Sequence, residues 1–124
     1  MSRDGRIQPL FWVGTTLNDL KSFPEDVKDG IGFALHEAQM GGKSTKAKPL
    51  KGYKGSGVLE VVERYDGDTY RAVYTVRFKG AVFALHAFQK KAKKGIATPK
   101  AELDMIKRRL KAADEAYEDM KKGS

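Results

Sequence analysis

From residue 58 to residue 89 apolar side chains recur at every second position, in three runs punctuated by Asp66-Gly67 and Lys79-Gly80. Strands place successive side chains on opposite faces, whereas a helix repeats about every 3.6 residues, so this spacing predicts three strands over 58–65, 70–78 and 81–89. The two turn pairs then join them as an antiparallel meander. Residues 7–13 are also apolar and β-prone but contain Pro9, which suits a short edge strand.

The rest of the chain carries helical signals. Residues 15–21 read as a short helical turn. Ser22-Phe23-Pro24-Glu25 has the spacing of a capping box, and Val27, Ile31, Ala34, Leu35 and Ala38 follow at helical intervals until Gly41-Gly42 stops the helix. Residues 43–57 read as a long basic loop. Thr98-Pro99 opens a last helix over about 100–122, with Leu103, Ile106, Leu110, Ala113 and Tyr117 on one stripe. The expected fold is α+β: a small, mostly antiparallel sheet, made of the N-terminal strand and the meander, packed on helices. Residues 1–124 are expected to form one domain.

A two-residue turn at Lys79-Gly80 would set Arg77 opposite Val82, Val73 opposite His86 and Arg71 opposite Phe88. Tyr70, Ala72, Tyr74, Val76 and Phe78 would then face the core with Phe83, Leu85 and Ala87. The opposite face would carry Arg71, Val73, Thr75 and Arg77 with Val82, Ala84, His86 and Phe88, joined by Glu60, Val62 and Arg64.

Charge has its own pattern. The net charge is +8, and two windows hold no acid at all: 38–59, with Lys43, Lys46, Lys48, Lys51 and Lys54, and 69–101, with Arg71, Arg77, Lys79, Lys90, Lys91, Lys93, Lys94 and Lys100. Two converging basic windows make the footprint of a surface that tracks phosphates. With 32% charged residues and no long apolar run, no membrane span is expected. The N-terminus has no signal-peptide pattern, so a mature cytoplasmic protein is expected. The absence of cysteine excludes disulfides, thiolate catalysis and Cys-ligated zinc, and with two histidines no metal site or cofactor is expected.

These residue types suffice to cut RNA. A base takes the proton of the ribose 2′-OH, cations hold the charge gathering on the phosphate, an acid protonates the leaving 5′-oxygen and an aromatic stacks on a base. Arg71 is the best phosphate clamp, because its planar fork can hold two oxygens. His86 or a lysine such as Lys54 is the candidate base, and Phe88 the candidate stacking residue. Plainer readings stand beside these. His86 and Phe88 also fit a buried strand, Arg64 and Arg77 fit surface ion pairs with Glu60 or Glu63, and Lys107-Arg108-Arg109 fits a solvated helix face.

The string Asp68-Thr69-Tyr70-Arg71-Ala72-Val73-Tyr74, then Leu85-His86-Ala87-Phe88-Gln89-Lys90-Lys91, then Thr98-Pro99 before an amphipathic helix, resembles the phage-derived branch of the RelE/HigB-like toxins of type II toxin–antitoxin systems. Phe23-Pro24, Gln39 before Gly41-Gly42, Lys48-Pro49-Leu50-Lys51-Gly52 and Val58-Leu59-Glu60 agree with it. The resemblance implies a RelE-like α+β fold and a ribosome-dependent mRNA endoribonuclease. That enzyme would inhibit translation, need no metal and be neutralised by a cognate antitoxin, commonly of the helix-turn-helix type. By motif, Arg71 matches the family's phosphate-binding strand arginine, Lys90 and Lys91 its closing basic pair, and Phe88 the aromatic beside that pair. Lys51 and Lys54 fall in the loop where related toxins place catalytic or RNA-binding residues. The expected catalytic set is Arg71, His86, Lys90 and Lys54, with Lys51, Arg64, Arg77, Phe88, Lys91 and Lys93 binding RNA. No C-terminal tyrosine or arginine aligns with the family's, which leaves the general acid open. The competing functions are a ParE-like toxin acting on DNA gyrase and a non-catalytic nucleic-acid-binding phage protein.

Overall fold

A computed structural model of the chain describes residues 7–90 and 98–123. Its centre is a five-stranded sheet in the order β1-β5-β4-β3-β2. The strands are β1 (Leu10–Trp12), β2 (Ala47–Pro49), β3 (Val58–Tyr65), β4 (Asp68–Thr75) and β5 (Val82–Lys90). β2 to β5 pair antiparallel, and β1 lies parallel to β5 at one edge. Pro9 has no N–H to give the ladder, yet its carbonyl accepts from Val82, so the proline sits where an edge strand tolerates it. The helices are α1 (Thr16–Lys21), α2 (Glu25–Gln39) and α3 (Lys100–Lys122).

The first hairpin forms as its turn residues dictate. Asp66 and Gly67 both take positive φ, 52° and 85°, which two-residue hairpins require, and Tyr65 pairs with Asp68. The second differs from the two-residue expectation. β4 stops at Thr75 and β5 starts at Val82, so residues 76–81 form a longer connection and Arg77 pairs with no strand residue. Val73↔His86 and Arg71↔Phe88 hold as expected, but a β-bulge shifts the register so that Tyr74 pairs with Ala84 and Thr75 with Phe83. One extra residue reverses the faces beyond it. Phe83 and Leu85 therefore leave the Tyr74 side of the sheet, and Val82 and Ala84 join it.

Both faces of the sheet are covered. On one, Leu20 and Phe23, together with Val27, Ile31, Ala34, Leu35 and Ala38 of α2, pack against Leu59, Val61, Tyr70, Ala72, Tyr74, Val82 and Ala87. On the other, Leu103, Ile106, Leu110, Ala113 and Tyr117 of α3 pack against Val58, Val73, Phe83 and Leu85. The α3 stripe is as expected. Its target is the face that the two-residue turn would have left open.

Two local details differ from the sequence reading. The capping box does not form, because Ser22 Oγ donates to the Asp19 carbonyl at 2.6 Å and Pro24 occupies the N-cap of α2. Within the long basic loop, residues 47–49 make a short edge strand on β3. The end of α2 is as expected: Gly41 N–H donates to Ala38 and Gly42 N–H to Glu37, a Schellman arrangement that uses the positive φ of Gly41.

Tyr74 is fully buried, and its hydroxyl has no hydrogen-bond partner among the described residues. Burial, with a smaller contribution from Glu37, pushes its pKa up to about 12. The unfolded chain ionises this phenol near pH 10 while the folded chain does not, so the folded state loses stability as the pH rises from 10 towards 12. Tyr74→Phe removes an unsatisfied buried donor and is expected to stabilise the chain by about 1 kcal/mol at neutral pH, with a larger gain above pH 10. Urea denaturation at pH 7 and pH 10.5 checks both.

Candidate functional site

Where α3 does not reach, the same sheet face opens into a cleft of about 930 Å³. Its base is made by Glu60, Val62 and Arg64 of β3 with Arg71 of β4. One wall is the β2 segment, with Lys46, Lys48, Pro49, Leu50, Lys51 and Gly52, and the other is the start of α3, with Thr98 and Leu103. Among the described residues, five cations line it against one carboxylate. That carboxylate is committed: Arg71 Nη1 donates to Glu60 Oε2 at 3.0 Å, and Thr98 Oγ1 donates to the same oxygen at 3.4 Å. Both partners are nearly buried, 10% and 14% exposed at the side chain, so the pair holds the guanidinium in one position at the cleft floor.

The expected site residues divide accordingly. Arg71, Lys51 and Arg64 line the cleft. Lys54 is exposed on the loop that follows Lys51, outside the lining. Lys90 ends β5 opposite Thr69, which in turn pairs with Arg64, so it shares the end of the face on which Arg64 lies. Arg77 is not on that face: it is exposed in the 76–81 connection, its guanidinium 5.5 Å from the Phe78 ring centre. Lys91 and Lys93 lie outside the described residues. The expected ion pairs of Arg64 or Arg77 with Glu60 or Glu63 are replaced by others, since Glu60 binds Arg71 and Glu63 binds Lys46 at 2.8 Å.

His86 and Phe88 are buried rather than displayed to solvent, although Phe88 pairs with Arg71 across β4 and β5 as expected. Their rings stack at 5.0 Å. Arg109 Nη1 donates to His86 Nδ1 at 3.1 Å, which makes Nδ1 the acceptor and leaves Nε2 to donate to Glu102 Oε1 at 2.7 Å. Both ring nitrogens are thereby used. Arg109 also donates to the Leu85 carbonyl at 3.1 Å, to Thr16 Oγ1 at 3.2 Å and to Thr15 Oγ1 at 3.0 Å. Gly14, at φ +59°, passes under the guanidinium so closely that a Cβ there would lie 2.8 Å from Nε. Arg109 is therefore not part of a solvated stripe but the pin that fastens α3 to β5 and to the turn before α1. Sequence reasoning missed it, and missed Glu102 and Lys46. The available signal was that Arg109 and Glu102 flank the apolar stripe at Leu103, Ile106 and Leu110.

With this geometry in place, the chain was compared with known proteins. A family model described as phage-derived protein Gp49-like (DUF891) matches residues 18–111, most of the chain. The chain belongs to the Gp49-like family of phage-derived proteins. This is a family of RelE-like toxins. Among solved structures, a mutant of the E. coli toxin RelE in its free state is similar, at 19% identity over 71% of this chain and 86% of that one, with a TM-score of 0.49. No curated protein matches.

The match of this Gp49-like chain to its family spans every element that builds the cleft, from α2 through the first half of α3. Chemically the cleft suits a polyanion whose bases can meet Val62 and Leu103 while its phosphates meet the cationic rim. Lys48 and Lys51 have no ion-pair partner among the described residues, whereas Lys46 is held by Glu63. Substituting Lys48 or Lys51 by alanine is expected to weaken single-stranded RNA binding and to lower the log–log salt slope by about 0.7 each. Lys46→Ala should do less. Filter binding across a salt series measures all three.

Proposed function

We propose that this Gp49-like toxin is a ribosome-dependent mRNA endoribonuclease. The observation that carries the reading is the cleft: an arginine fixed at its floor, cations on its rim and room for one or two nucleotides. In the proposed reaction the ribose 2′-oxygen attacks the adjacent phosphorus as its proton leaves to a base, and the bond from phosphorus to the 5′-oxygen breaks as that oxygen takes a proton. The products are a 2′,3′-cyclic phosphate and a 5′-hydroxyl. Arg71 stabilises the charge on the phosphate, while Lys48, Lys51, Arg64 and Lys90, with Lys91 and Lys93 beyond it, hold the flanking strand.

For the base the choice is Glu60, the one carboxylate among the described residues that line the cleft, or Lys54 on the adjoining loop. His86 is assigned a positioning role instead, because its nitrogens are engaged with Glu102 and Arg109. Comparing Glu60→Gln with Lys54→Ala separates the two candidates: the variant that loses cleavage while keeping RNA affinity identifies the base.

A cognate antitoxin, of the helix-turn-helix type in this reading, covers the basic cleft with an acidic segment, and the toxin works in the cytoplasm where messages are translated. Among the described residues no helix is long and apolar enough to cross a membrane. The test is primer extension on a translated message after brief induction. Discrete new 5′ ends support the reading; intact messages alongside DNA damage would replace it with a gyrase poison.

A further inference from the structure

The outer face of α2 has no role in the core or in the cleft, and its composition is unusual for a solvated helix. Asp26, Asp29, Phe33, His36 and Met40 are all exposed and follow the spacing of a heptad seam, with Glu25 and Gly32 at the flanks. Phe33 is 62% exposed, and Met40 39%. Ile7, 52% exposed, is held beside Met40, because Gln8 N–H donates to the Gln39 carbonyl and the Gln39 side chain donates to the Gln8 carbonyl. Half of the face is therefore acidic and half apolar.

Gly32 supplies an independent observation. A glycine inside a helix destabilises it relative to alanine, and folds keep one there when a Cβ would collide. Gly30 is such a case, since a Cβ there would lie 2.5 Å from the Glu63 carboxylate. At Gly32 a Cβ would meet nothing within 4 Å. Nothing among the described residues calls for that glycine, whereas close approach of another backbone would.

We infer that the outer face of α2 is a docking surface for a helix of a partner protein that carries an apolar stripe at one end and lysines or arginines at the other. The apolar end seats on Phe33, Met40 and Ile7, and the basic end meets Asp26 and Asp29. A second copy of the chain is a poorer occupant: Lys28, the one lysine or arginine on α2, is tied to Glu25 at 2.7 Å, so self-pairing would leave the aspartates without a lysine or arginine to meet. The face lies on the opposite side of the sheet from the cleft, so the partner helix and a polyanion bind together. Nothing in this inference depends on the nuclease reading.

The test uses the full chain and a synthetic amphipathic helical peptide with leucine at its seam positions in one half and lysine in the other, beside a version with glutamate for lysine. Fluorescence anisotropy is expected to show binding of the lysine peptide, weakened at least tenfold by Phe33→Glu, with the peptide preference reversed by Asp26→Lys with Asp29→Lys. Gly32→Ala is expected to raise the melting temperature of the free chain while weakening the peptide. Binding indifferent to Phe33→Glu or to charge reversal, or Gly32→Ala stabilising the chain with affinity unchanged, overturns the inference. So does concentration-dependent dimerisation in sedimentation that Phe33→Glu abolishes, which gives the face to a second copy.

Discussion

Arg71→Ala is expected to lower mRNA cleavage by about 10²–10³-fold, the scale on which losing one donor to a developing oxyanion is felt. The same substitution leaves Glu60 nearly buried without its cation, which costs stability on the order of 2 kcal/mol. The two effects must be separated. Combining Arg71→Ala with Glu60→Gln removes the stranded charge, so stability should recover while cleavage stays lost; because Glu60 is itself a candidate base, Glu60→Gln alone, run beside it, shows how much of the loss belongs to Arg71. Arg71→Lys keeps the charge without the fork and should fall between wild type and Arg71→Ala. Growth arrest on induction reads the activity and urea denaturation reads the stability. Full toxicity in a folded Arg71→Ala variant would remove Arg71 from the mechanism.

Arg109→Ala is expected to destabilise the chain by about 3 kcal/mol. One guanidinium satisfies Thr15, Thr16, the Leu85 carbonyl and His86 Nδ1, and its removal leaves the last two without this donor in a buried position. α3 should detach more readily from β5 than any other element, which backbone hydrogen exchange resolves residue by residue. Because Thr98 and Leu103 form a wall of the cleft, RNA affinity should fall with the loosened helix. Arg109→Lys recovers little, since an ammonium cannot span all four acceptors. A change in unfolding free energy under about 0.5 kcal/mol would show that the apolar stripe alone seats α3.

These two residues also mark where the sequence was legible. The strands, the first turn and the α3 stripe were readable because period and turn chemistry are local. The pairing of Arg71 with Phe88 and of Val73 with His86 came out as expected because the extra β5 residue at the bulge offsets the one-residue shift made by the longer second connection. The bulge itself leaves no compositional trace, and it reversed the faces of Phe83 and Leu85. β2 is three residues long and consists of an alanine, a lysine and a proline, so it gives no strand signal until β3 is there to pair with it. Arg71 emerged as a site residue from its place in a motif, whereas its partner Glu60 was set by packing across two strands. Arg109 meets His86 across 23 residues of chain, and no periodicity encodes such a contact.

RNA cleavage by 2′-oxygen attack leaves ends of a particular chemistry, and those ends are the most direct test of the proposed activity. A translated message is recovered after brief induction, its 5′ ends are mapped, and those ends are offered to a polynucleotide kinase without prior phosphatase treatment, with the Arg71→Ala with Glu60→Gln variant in parallel. The expected result is discrete ends within the translated region that accept phosphate directly, as 5′-hydroxyls do, and that are missing with the variant. Intact messages under full growth arrest, or ends already bearing a 5′-phosphate, would contradict it.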